Sequence, residues 1–378
     1  MQIPFNKPYL TGKETFYIQD AVYSGHLSGN GKYTKLCHKF FEERYSFKKT
    51  LLTTSCTDAL EMCAMLLDIK QGDEVIVPSY TFVSTALAFA RQGAKIIFAD
   101  SCENHPNIDV NKIEELITSK TRVIVPVHYA GVAVDMDKIM QLADKYNLFV
   151  VEDAAQAIDS YYKNKPLGGI GHLGVFSFHE TKNVISGEGG LLIINDERFI
   201  KRAEILWEKG TNRASFFRGE INKYGWVDTG SSFLPAETTA AFLYAQLEKI
   251  NKIQKKRISN WHIYYNGLDE LQKSMNKIKL PVITEHAINN GHMFYIICKT
   301  EQERSKLINH LKYNNIHAVF HYLGLHKSDY IKNNQKSKQN LPMSDFYTNH
   351  LLRLPMYYDM EEKDIIKVIN IIKEFYKN

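Results

Sequence analysis

The sequence predicts an α/β protein with a mostly parallel central sheet and a smaller C-terminal α+β domain. Its 378 residues exceed what one typical hydrophobic core supports and fit a large domain plus a smaller one. In the first two thirds of the chain, short apolar runs alternate with helical segments, which is typical of parallel strands covered on both faces. After about residue 246 this alternation stops. We therefore expect a large domain over residues 1–245 and a small domain over 246–378.

The predicted elements follow in order along the chain. In the large domain we expect strands at 74–77, 94–98, 122–126, 148–152, 175–178 and 190–194. A buried helix is expected at 59–67, and amphipathic helices at 111–118 and 136–145. In the small domain we expect a long basic helix over 246–270, strands at 293–298 and 318–322, and a terminal helix with isoleucines at helical spacing.

Composition is that of an ordinary globular protein, with 44% hydrophobic residues, 24% charged residues and a net charge of +5. The densest basic run, at 252–257, is better explained as a solvated helix face than as a nucleic-acid patch. Five cysteines without metal-like spacing indicate neither a disulfide framework nor a zinc site. We see no signal-peptide core and no apolar run of membrane-spanning length. We expect a cytoplasmic protein without nucleic-acid or membrane partners.

An acidic residue, Asp153, stands at the carboxyl end of a predicted buried strand, where open α/β sheets place their ligands. A carboxylate there suits a pyridine cofactor, because it pairs with the ring nitrogen and keeps it protonated. Ala155, two residues further on, is small enough to lie flat beneath a ring, and Gln156 can donate to a ring oxygen. The alternative is a carboxylate that caps the next helix, and these residues alone leave both interpretations open.

Lys182 lies on a polar loop that follows another predicted strand. In an enclosed site next to a cationic imine, the pKa of its amine would be lowered, which favours Schiff-base chemistry. Ser177 offers a hydroxyl to a phosphate, and the glycines within 187–190 let the backbone approach a ligand. The alternative is an ordinary surface lysine.

Small hydroxyl residues precede the predicted helix at 59–67 in the run TTSCTDAL. Free N–H groups at a helix N-terminus bind phosphate, so Thr57 and the amide of Asp58 are candidates, with a plain helix cap as the alternative. In the run PSYTFVST, Phe82 offers a ring for stacking, although on these residues alone a core aromatic is the better explanation.

The run GIGHLG at 169–174 matches the spacing of a dinucleotide-binding glycine motif. That motif requires a strand before it and a helix after it, whereas a loop precedes this run and a strand follows it. We therefore reject a dehydrogenase. The histidines also lack the spacing of a metal site.

The order TSCT, PSYTF, EDAAQ and SFHETK resembles the sugar aminotransferases of the DegT/DnrJ/EryC1/StrS family, which are fold-type I pyridoxal 5'-phosphate (PLP) enzymes. The resemblance extends from IPFNKP to LLRLPMYY. It implies that Lys182 holds the cofactor as a Schiff base, that Asp153 pairs with the pyridine nitrogen and that Gln156 contacts the ring hydroxyl. Phe82 and Ala155 would cover the two faces of the ring.

The resemblance further implies that Thr57, the amide of Asp58 and Ser177 form the phosphate cup. Many family members carry Gly-Tyr-Asn in a loop that reaches the phosphate bound by the partner subunit. This chain has Gly-Ser-Ser at 230–232, so Ser232 is the matching residue.

A homodimer with shared active sites is also implied. Arg213 and Arg218 would then reach the diphosphate of a substrate held by the other subunit, since arginine suits bidentate diphosphate recognition. Ordinary surface charge is the alternative. His179, His321 and Tyr322 are the remaining candidates for substrate contacts.

Several runs, among them VIVPVHYAGVA and EKGTNRASFFRG, resemble the subgroup that makes dTDP-4-amino-4,6-dideoxygalactose. This implies amine transfer from L-glutamate to dTDP-4-keto-6-deoxyglucose for the synthesis of a cell-surface glycan such as lipopolysaccharide O-antigen. The gluco epimer, a C3 keto group and another nucleotide stay open. A sugar dehydratase is disfavoured because such relatives have histidine at the position of Lys182. A non-enzymatic sugar-nucleotide-binding regulator is disfavoured by the complete cofactor set.

Overall fold

The computed structural model describes residues 2–335 and 339–377. The helices are α1 (Glu14–Tyr23), α2 (Lys32–Tyr45), α3 (Cys56–Leu66), α4 (Ser84–Ala90), α5 (Met136–Tyr146), α6 (Ile200–Trp207), α7 (Arg213–Phe217), α8 (Glu237–Leu247), α9 (Ile250–Lys273), α10 (Glu301–Tyr313), α11 (Asp329–Asn334), α12 (Pro342–His350) and α13 (Glu362–Lys377). The strands are β1 (Lys49–Thr53), β2 (Glu74–Pro78), β3 (Lys95–Ala99), β4 (Thr121–Ile124), β5 (Phe149–Asp153), β6 (Tyr161–Tyr162), β7 (Lys165–Pro166), β8 (Leu173–Ser177), β9 (Gly190–Ile194), β10 (Ile278–Lys279), β11 (Ala287–Ile288), β12 (Phe294–Cys298) and β13 (Leu351–Leu354). Within the described residues, no helix combines the length and the apolar character that a bilayer crossing requires.

The central sheet has seven strands in the order β1-β9-β8-β5-β4-β2-β3. The strands from β8 to β3 are parallel to one another, whereas β9 runs antiparallel between β1 and β8. Every residue of β2, β8 and β9 is buried, because helices cover both faces of the sheet. The predicted mixed, mostly parallel sheet is therefore confirmed.

Two hydrophobic clusters lie on the opposite faces of this sheet. Ile76 packs into the cluster that contains α2, α5 and α8, whereas its neighbours Val75 and Val77 pack into the cluster that contains α3, α4 and α6. Successive side chains of a strand point to opposite faces, so an unbroken apolar strand such as EVIVP supplies both cores.

A second sheet, with the order β10-β12-β13, packs against α9, α10 and α13 around Trp261, Leu307 and Ile369. The single helix predicted over 246–270 is wrong in detail, because α8 ends at Leu247 and α9 begins at Ile250. This break lies near the expected domain boundary between residues 245 and 246, which stays a prediction.

Three further expectations about elements differ from the structure. The segment 318–322 is not a strand, since only Val319 pairs, through one bridge to Arg353 in β13. The segment 111–118 forms two short 3-10 turns in place of an amphipathic helix. Strand β1 was not predicted, although it forms the sheet edge beside β9.

The buried carboxylate of Glu152 holds the end of β5 in place. It accepts N–H bonds from Gly168 at 2.8 Å, Ile170 at 2.6 Å and Gly171 at 2.6 Å. His128 donates to it from Nε2 at 2.9 Å, since His128 Nδ1 accepts the amide of Val134. Two of these amides, those of Ile170 and Gly171, belong to the run GIGHLG, which therefore binds Glu152, consistent with our rejection of a dinucleotide-binding motif.

The substitution Glu152→Gln should lower the free energy of unfolding by about 3 kcal/mol. The new side-chain NH2 group is a donor, and it would point at N–H groups that now donate to the carboxylate. Urea unfolding followed by circular dichroism, at one fixed cofactor concentration, measures this. Glu197→Gln, whose side chain is 73% exposed, is the matched control and should change stability by less than about 0.5 kcal/mol. Equal stability of the two variants would contradict a structural role for Glu152.

Candidate active site

Four strands of the central sheet end at the same edge. Strands β1, β2, β5 and β8 run in the same direction, so their carboxyl ends and the segments that follow them meet there. Each of the four motifs singled out in the sequence follows one of these strands. Tertiary structure thus brings to one edge of the sheet residues that are more than 100 positions apart in the chain.

Asp153, the last residue of β5, is 5% exposed and accepts two hydrogen bonds. Its Oδ2 accepts from Thr85 Oγ1 at 2.7 Å, and its Oδ1 accepts from the amide of Ala155 at 3.1 Å. Thr85 lies in the first turn of α4 and also bonds Thr81 at 3.0 Å. These contacts orient a carboxylate that can hold a proton on a ring nitrogen. Sequence reasoning missed Thr85, although it closes the predicted loop 78–85.

Lys182 lies in the loop between β8 and β9 and is half-buried. Its backbone amide donates to His179 O at 2.8 Å, and its amine makes no hydrogen bond or ion pair with any residue the structure describes. Burial lowers the pKa of the Lys182 amine, Cys56 and Asp153 oppose this effect, and Arg353 adds to it. A lowered pKa leaves more of the amine neutral and therefore nucleophilic.

The segment after β1 supplies a helix N-terminus to the same edge. Ser55 caps α3 by accepting the amide of Asp58 at 3.1 Å, so that amide is already engaged. The hydroxyls of Thr57 and Ser84 lie 2.7 Å apart. Amides in the first helical turn have no partner within the helix and are suited to a phosphate.

Gly190 joins this helix end to the end of β8. It pairs with Thr53 on one side and with Ser177 on the other. A Cβ atom at Gly190 would lie 2.4 Å from Ser55 O, so no other residue allows β9 to pass so close to the α3 turn. Thr57 and Ser177, both expected around a phosphate, are brought to the same edge of the sheet by this approach.

Phe82 and Ala155 leave apolar surface at the edge uncovered. Phe82 is 56% exposed, and its ring centroid lies 6.3 Å from that of Tyr322. Ala155 is half-buried immediately after Asp153. Exposure of this kind is suited to a planar ligand that stacks on an aromatic side chain.

A group of hydrogen-bonded polar side chains connects the central sheet with the segment that precedes the last strand of the second sheet. Gln156 accepts the amide of Ala130 at 2.6 Å and donates to the Tyr322 hydroxyl at 2.8 Å. Tyr129 bonds His321 Nδ1 at 2.7 Å, and the rings of His321 and Tyr322 stack with centroids 3.6 Å apart. Burial lowers the pKa of His321, so its ring is neutral. The structure thus places both predicted substrate candidates, His321 and Tyr322, beside Gln156.

His179 lies in the same loop as Lys182. Its Nδ1 bonds Thr181 Oγ1 at 2.9 Å, and its Nε2 lies 3.7 Å from a carboxylate oxygen of Glu188. The structure therefore places this candidate at the edge of the site, with its ring held by its own loop.

Arg213, Arg218 and Ser232 lie apart from this group. Arg213 and Ser232 line one surface pocket with Glu208, and Arg218 is paired with Glu204 at 2.8 Å and with Glu220 at 2.7 Å. In the described part of the chain, no hydrogen bond joins them to Asp153 or Lys182. Among the described residues, neither a hydrogen bond nor an ion pair connects these three expected residues to Lys182.

Two more residues near the site, Tyr80 and Arg353, were not predicted from the sequence. Tyr80 is 1% exposed, and its hydroxyl has no hydrogen-bond partner among the described residues. Arg353 lies in β13 and influences the pKa of Lys182. A signal for Arg353 was present, since an arginine inside the apolar run LLRLP is unusual in a buried strand.

The side chains at this edge match the parts of pyridoxal 5'-phosphate. Lys182 offers an amine for its aldehyde, Asp153 a carboxylate for its ring nitrogen, and Phe82 an exposed ring for its face. The helix end with Thr57, together with Ser177, suits its phosphate. The residues present therefore fit this cofactor.

Comparison with known proteins agrees with this chemistry. The sequence profile of the DegT/DnrJ/EryC1/StrS aminotransferase family matches residues 8–373. The chain is 30% identical over 382 residues to the GDP-perosamine synthase of Escherichia coli O157:H7, covering 100% of this chain and 99% of that protein. It is 29% identical over 389 residues to the UDP-4-amino-4-deoxy-L-arabinose–oxoglutarate aminotransferase of Shewanella sediminis, covering 100% and 98%.

Among solved structures, the protein Spr1654 of Streptococcus pneumoniae in its PLP form superposes with a TM-score of 0.90 at 25% identity, covering 100% of this chain and 99% of that one. The fold predicted from the sequence is therefore confirmed. The chain belongs to the DegT/DnrJ/EryC1/StrS aminotransferase family, and its cofactor is pyridoxal 5'-phosphate.

Proposed function

We propose that this aminotransferase moves an amine from L-glutamate to C4 of dTDP-4-keto-6-deoxy-D-glucose, forming dTDP-4-amino-4,6-dideoxy-D-galactose. The observation that supports an aminotransferase reaction is that Lys182 and Asp153 lie at the same edge of the sheet. Lys182 supplies a reactive amine, and Asp153 supplies a carboxylate for a ring nitrogen. Relatives named for nucleotide-linked sugars support a sugar nucleotide as the acceptor. The choice of dTDP and of the galacto product rests on the runs described in the sequence.

Two side chains of this protein manage protons in the proposed reaction. When bound, pyridoxal 5'-phosphate supplies an electron sink for the carbon that loses its proton. Asp153, held by Thr85 and the Ala155 amide, keeps a proton on the ring nitrogen. The Lys182 amine, once displaced by the donor, removes the α-proton of L-glutamate in the first half of the reaction, and in the second half it delivers a proton to C4 of the sugar.

The sugar nucleotide is expected to gain binding energy away from the reacting carbon. Its diphosphate lies across the sugar ring from C4, and remote contacts orient C4 for proton transfer. We propose that Arg213 and Arg218 meet this diphosphate from the second subunit of a homodimer, and that Ser232 reaches the phosphate of the cofactor there.

The surface around these arginines supports a second copy as its partner. Phe217 and Trp226, in the same segment, are 68% and 82% exposed, so this surface offers two large aromatic side chains to a partner. Pairing of two copies through this segment would cover them. A cytoplasmic enzyme that serves the synthesis of a cell-surface glycan is the setting we propose.

The product is predicted to have the galacto configuration at C4. Incubation of the enzyme with dTDP-4-keto-6-deoxyglucose and L-glutamate, followed by NMR of the product, reads the configuration from the coupling constants of H4. Incubations with the GDP- and UDP-linked keto-sugars are the controls, and each should react more slowly than the dTDP substrate. A gluco product, or faster reaction of another nucleotide, would contradict the proposed substrate and product.

Lys182→Ala should reduce turnover by at least about 1,000-fold, because it removes both the cofactor-holding amine and the proton carrier. The absorbance band of the lysine-bound cofactor should disappear, while the circular dichroism spectrum stays unchanged. Lys163→Ala, a lysine with a 44% exposed side chain, is the matched control and should keep full activity. Full activity of Lys182→Ala would refute the assignment.

Asp153→Asn should reduce turnover by several orders of magnitude, because an amide no longer holds a proton on the ring nitrogen. Thr85→Val keeps the carboxylate and removes one hydrogen bond, so its loss should be only about fivefold. Steady-state rates with L-glutamate as donor measure both. A rate for Asp153→Asn close to that of the wild type would show that another group serves the ring nitrogen.

A further inference from the structure

Asn183, the residue after Lys182, is buried and uses all of its side-chain hydrogen-bonding groups. Its Nδ2 donates to Gln254 Oε1 at 2.9 Å and to Asn290 O at 2.9 Å, and its Oδ1 lies 2.9 Å from His292 Nδ1. Gln254 belongs to α9, and the other two partners lie just before β12. The loop of Lys182 is therefore held by α9 and by the segment before β12, at the position directly after the lysine.

Two of these partners also hold the segment that follows β5. Gln254 Nε2 donates to Ile158 O at 3.1 Å. Asn290 Nδ2 donates to Gln156 O at 2.9 Å and to Ile158 O at 2.8 Å. Gln254 and Asn290 thus each bond two loops, the one after β5 and the one that carries Lys182.

Backbone carbonyls determine the direction of each hydrogen bond in this network. Ile158 O can only accept, so Gln254 turns its Nε2 toward it and its Oε1 toward Asn183, which must donate. Asn290 O also only accepts, so both N–H bonds of the Asn183 amide are used. The remaining Asn183 Oδ1 accepts from His292, which places the ring proton on Nδ1. The side chains therefore have one mutually consistent arrangement.

The network is uncharged, although it lies beside a lysine. Burial lowers the pKa of His292 well below its usual value, and the positive charge of Lys182 lowers it further, so the ring is neutral. Asn183 and Gln254 are each 5% exposed, and Asn290 is fully buried. Buried amides that satisfy one another and nearby carbonyls make a structure rigid without adding charge to the site.

Close packing restrains the same network. A Cβ at Gly131 would lie 2.1 Å from Asn290 Oδ1, so a glycine is needed there to leave room for the amide. Asn290 Oδ1 also accepts the backbone amide of His292 at 3.0 Å. A shift of either loop would break at least one of these bonds between buried groups, which is costly where water cannot replace the partner.

We propose that Asn183 is a positioning residue of the reaction, which sets the spacing between the Lys182 amine and the Asp153 carboxylate through the bonds that join both loops. The proposal rests on the proposed function, in which Lys182 moves the protons and Asp153 serves the ring nitrogen. Lys182 acts at two steps, and its backbone position decides how well the amine is aligned at each. A misplacement of about 1 Å can cost about 100-fold in rate.

The test separates alignment from binding in the cofactor-loaded enzyme. Asn183→Ala removes the shared amide and keeps Lys182 and Asp153. On mixing with saturating L-glutamate, the loss of the lysine-bound cofactor band, followed by stopped-flow absorbance, should become about 10- to 100-fold slower. The L-glutamate concentration that half-saturates this loss should change by less than about threefold, because no donor contact is removed. α-Deuterated L-glutamate should slow the variant further, since proton removal then limits its rate.

Three further variants sharpen the test. Gln254→Leu breaks the same link from α9, so it should slow the reaction too, and its effect should be less than additive with that of Asn183→Ala. Asn183→Ser keeps one hydroxyl and serves if the alanine variant folds poorly. Asn260→Ala is the matched control, since Asn260 is a fully buried asparagine of α9 that donates to Tyr357 O at 3.1 Å. It should lower stability in urea and leave the limiting rate unchanged.

The cofactor-loaded enzyme without substrate gives a readout that is independent of activity. The pH midpoint of the lysine-bound cofactor band depends on the charges and hydrogen bonds around the Lys182 nitrogen. This midpoint should shift in Asn183→Ala and stay at the wild-type value in Asn260→Ala. A merely structural role for Asn183 would leave it in place.

Wild-type limiting rates in the Asn183 variants and in Gln254→Leu would overturn the proposal. An equal slowing in Asn260→Ala would also overturn it, since lost stability would then explain the effect. Failure of the proposed function looks different, because the wild type itself would then keep its cofactor band with L-glutamate, or Lys182→Ala would retain that band. If only the donor is wrong, the pH midpoint still tests Asn183, and an unchanged midpoint overturns its positioning role.

Discussion

The rest of the site depends on how Glu152 is held at the end of β5. Four donors, three of them backbone amides of the loop 168–171, converge on this fully buried carboxylate. Because side chains alternate along a strand, the same end of the strand turns Asp153 to the opposite face. A rigid position for Glu152 therefore becomes a rigid position for Asp153. The glycines at 168–174 are needed to hold Glu152, because a Cβ at Gly174 would lie 2.2 Å from Gly168 O and would push the loop away.

The charge of the Lys182 amine depends on its burial and on the single carboxylate, that of Asp153, that acts on it among the described residues. Burial lowers the pKa of the Lys182 amine, and Asp153, hydrogen-bonded to Thr85, keeps that amine from losing its proton too readily. On the far side, the tyrosines around Arg353 supply hydroxyls without negative charge. Because burial lowers the pKa of the Lys182 amine while Asp153 opposes that effect, the amine is suited both to accept and to release a proton.

Local motifs were predicted well, and contacts across the fold were not. The segments around Asp153, Ser177 and Lys182 each follow one buried strand, and the periodicity of apolar residues marks such a strand end. Residues 318–322 look like a strand because they are apolar and aromatic, yet β12 already pairs with β10 and β13, so only Val319 bonds at the outer edge. Two helices replaced one predicted helix because α8 packs on α1 and α2, whereas α9 packs mainly on α13 beside the second sheet.

The sequence by itself determined where β2, β5 and β8 end, to within about one residue, together with the order of the motifs and the chemical character of the side chains that follow these strands. These are local properties, set by apolar periodicity and by residue type. Tertiary structure alone decided which hydroxyl serves Asp153, how Gly190 lets β9 approach the turn of α3, and that Arg353 faces the space around Lys182. Such contacts join residues far apart in the chain, and they depend on strand register and close approach, which a single sequence does not encode in any one segment.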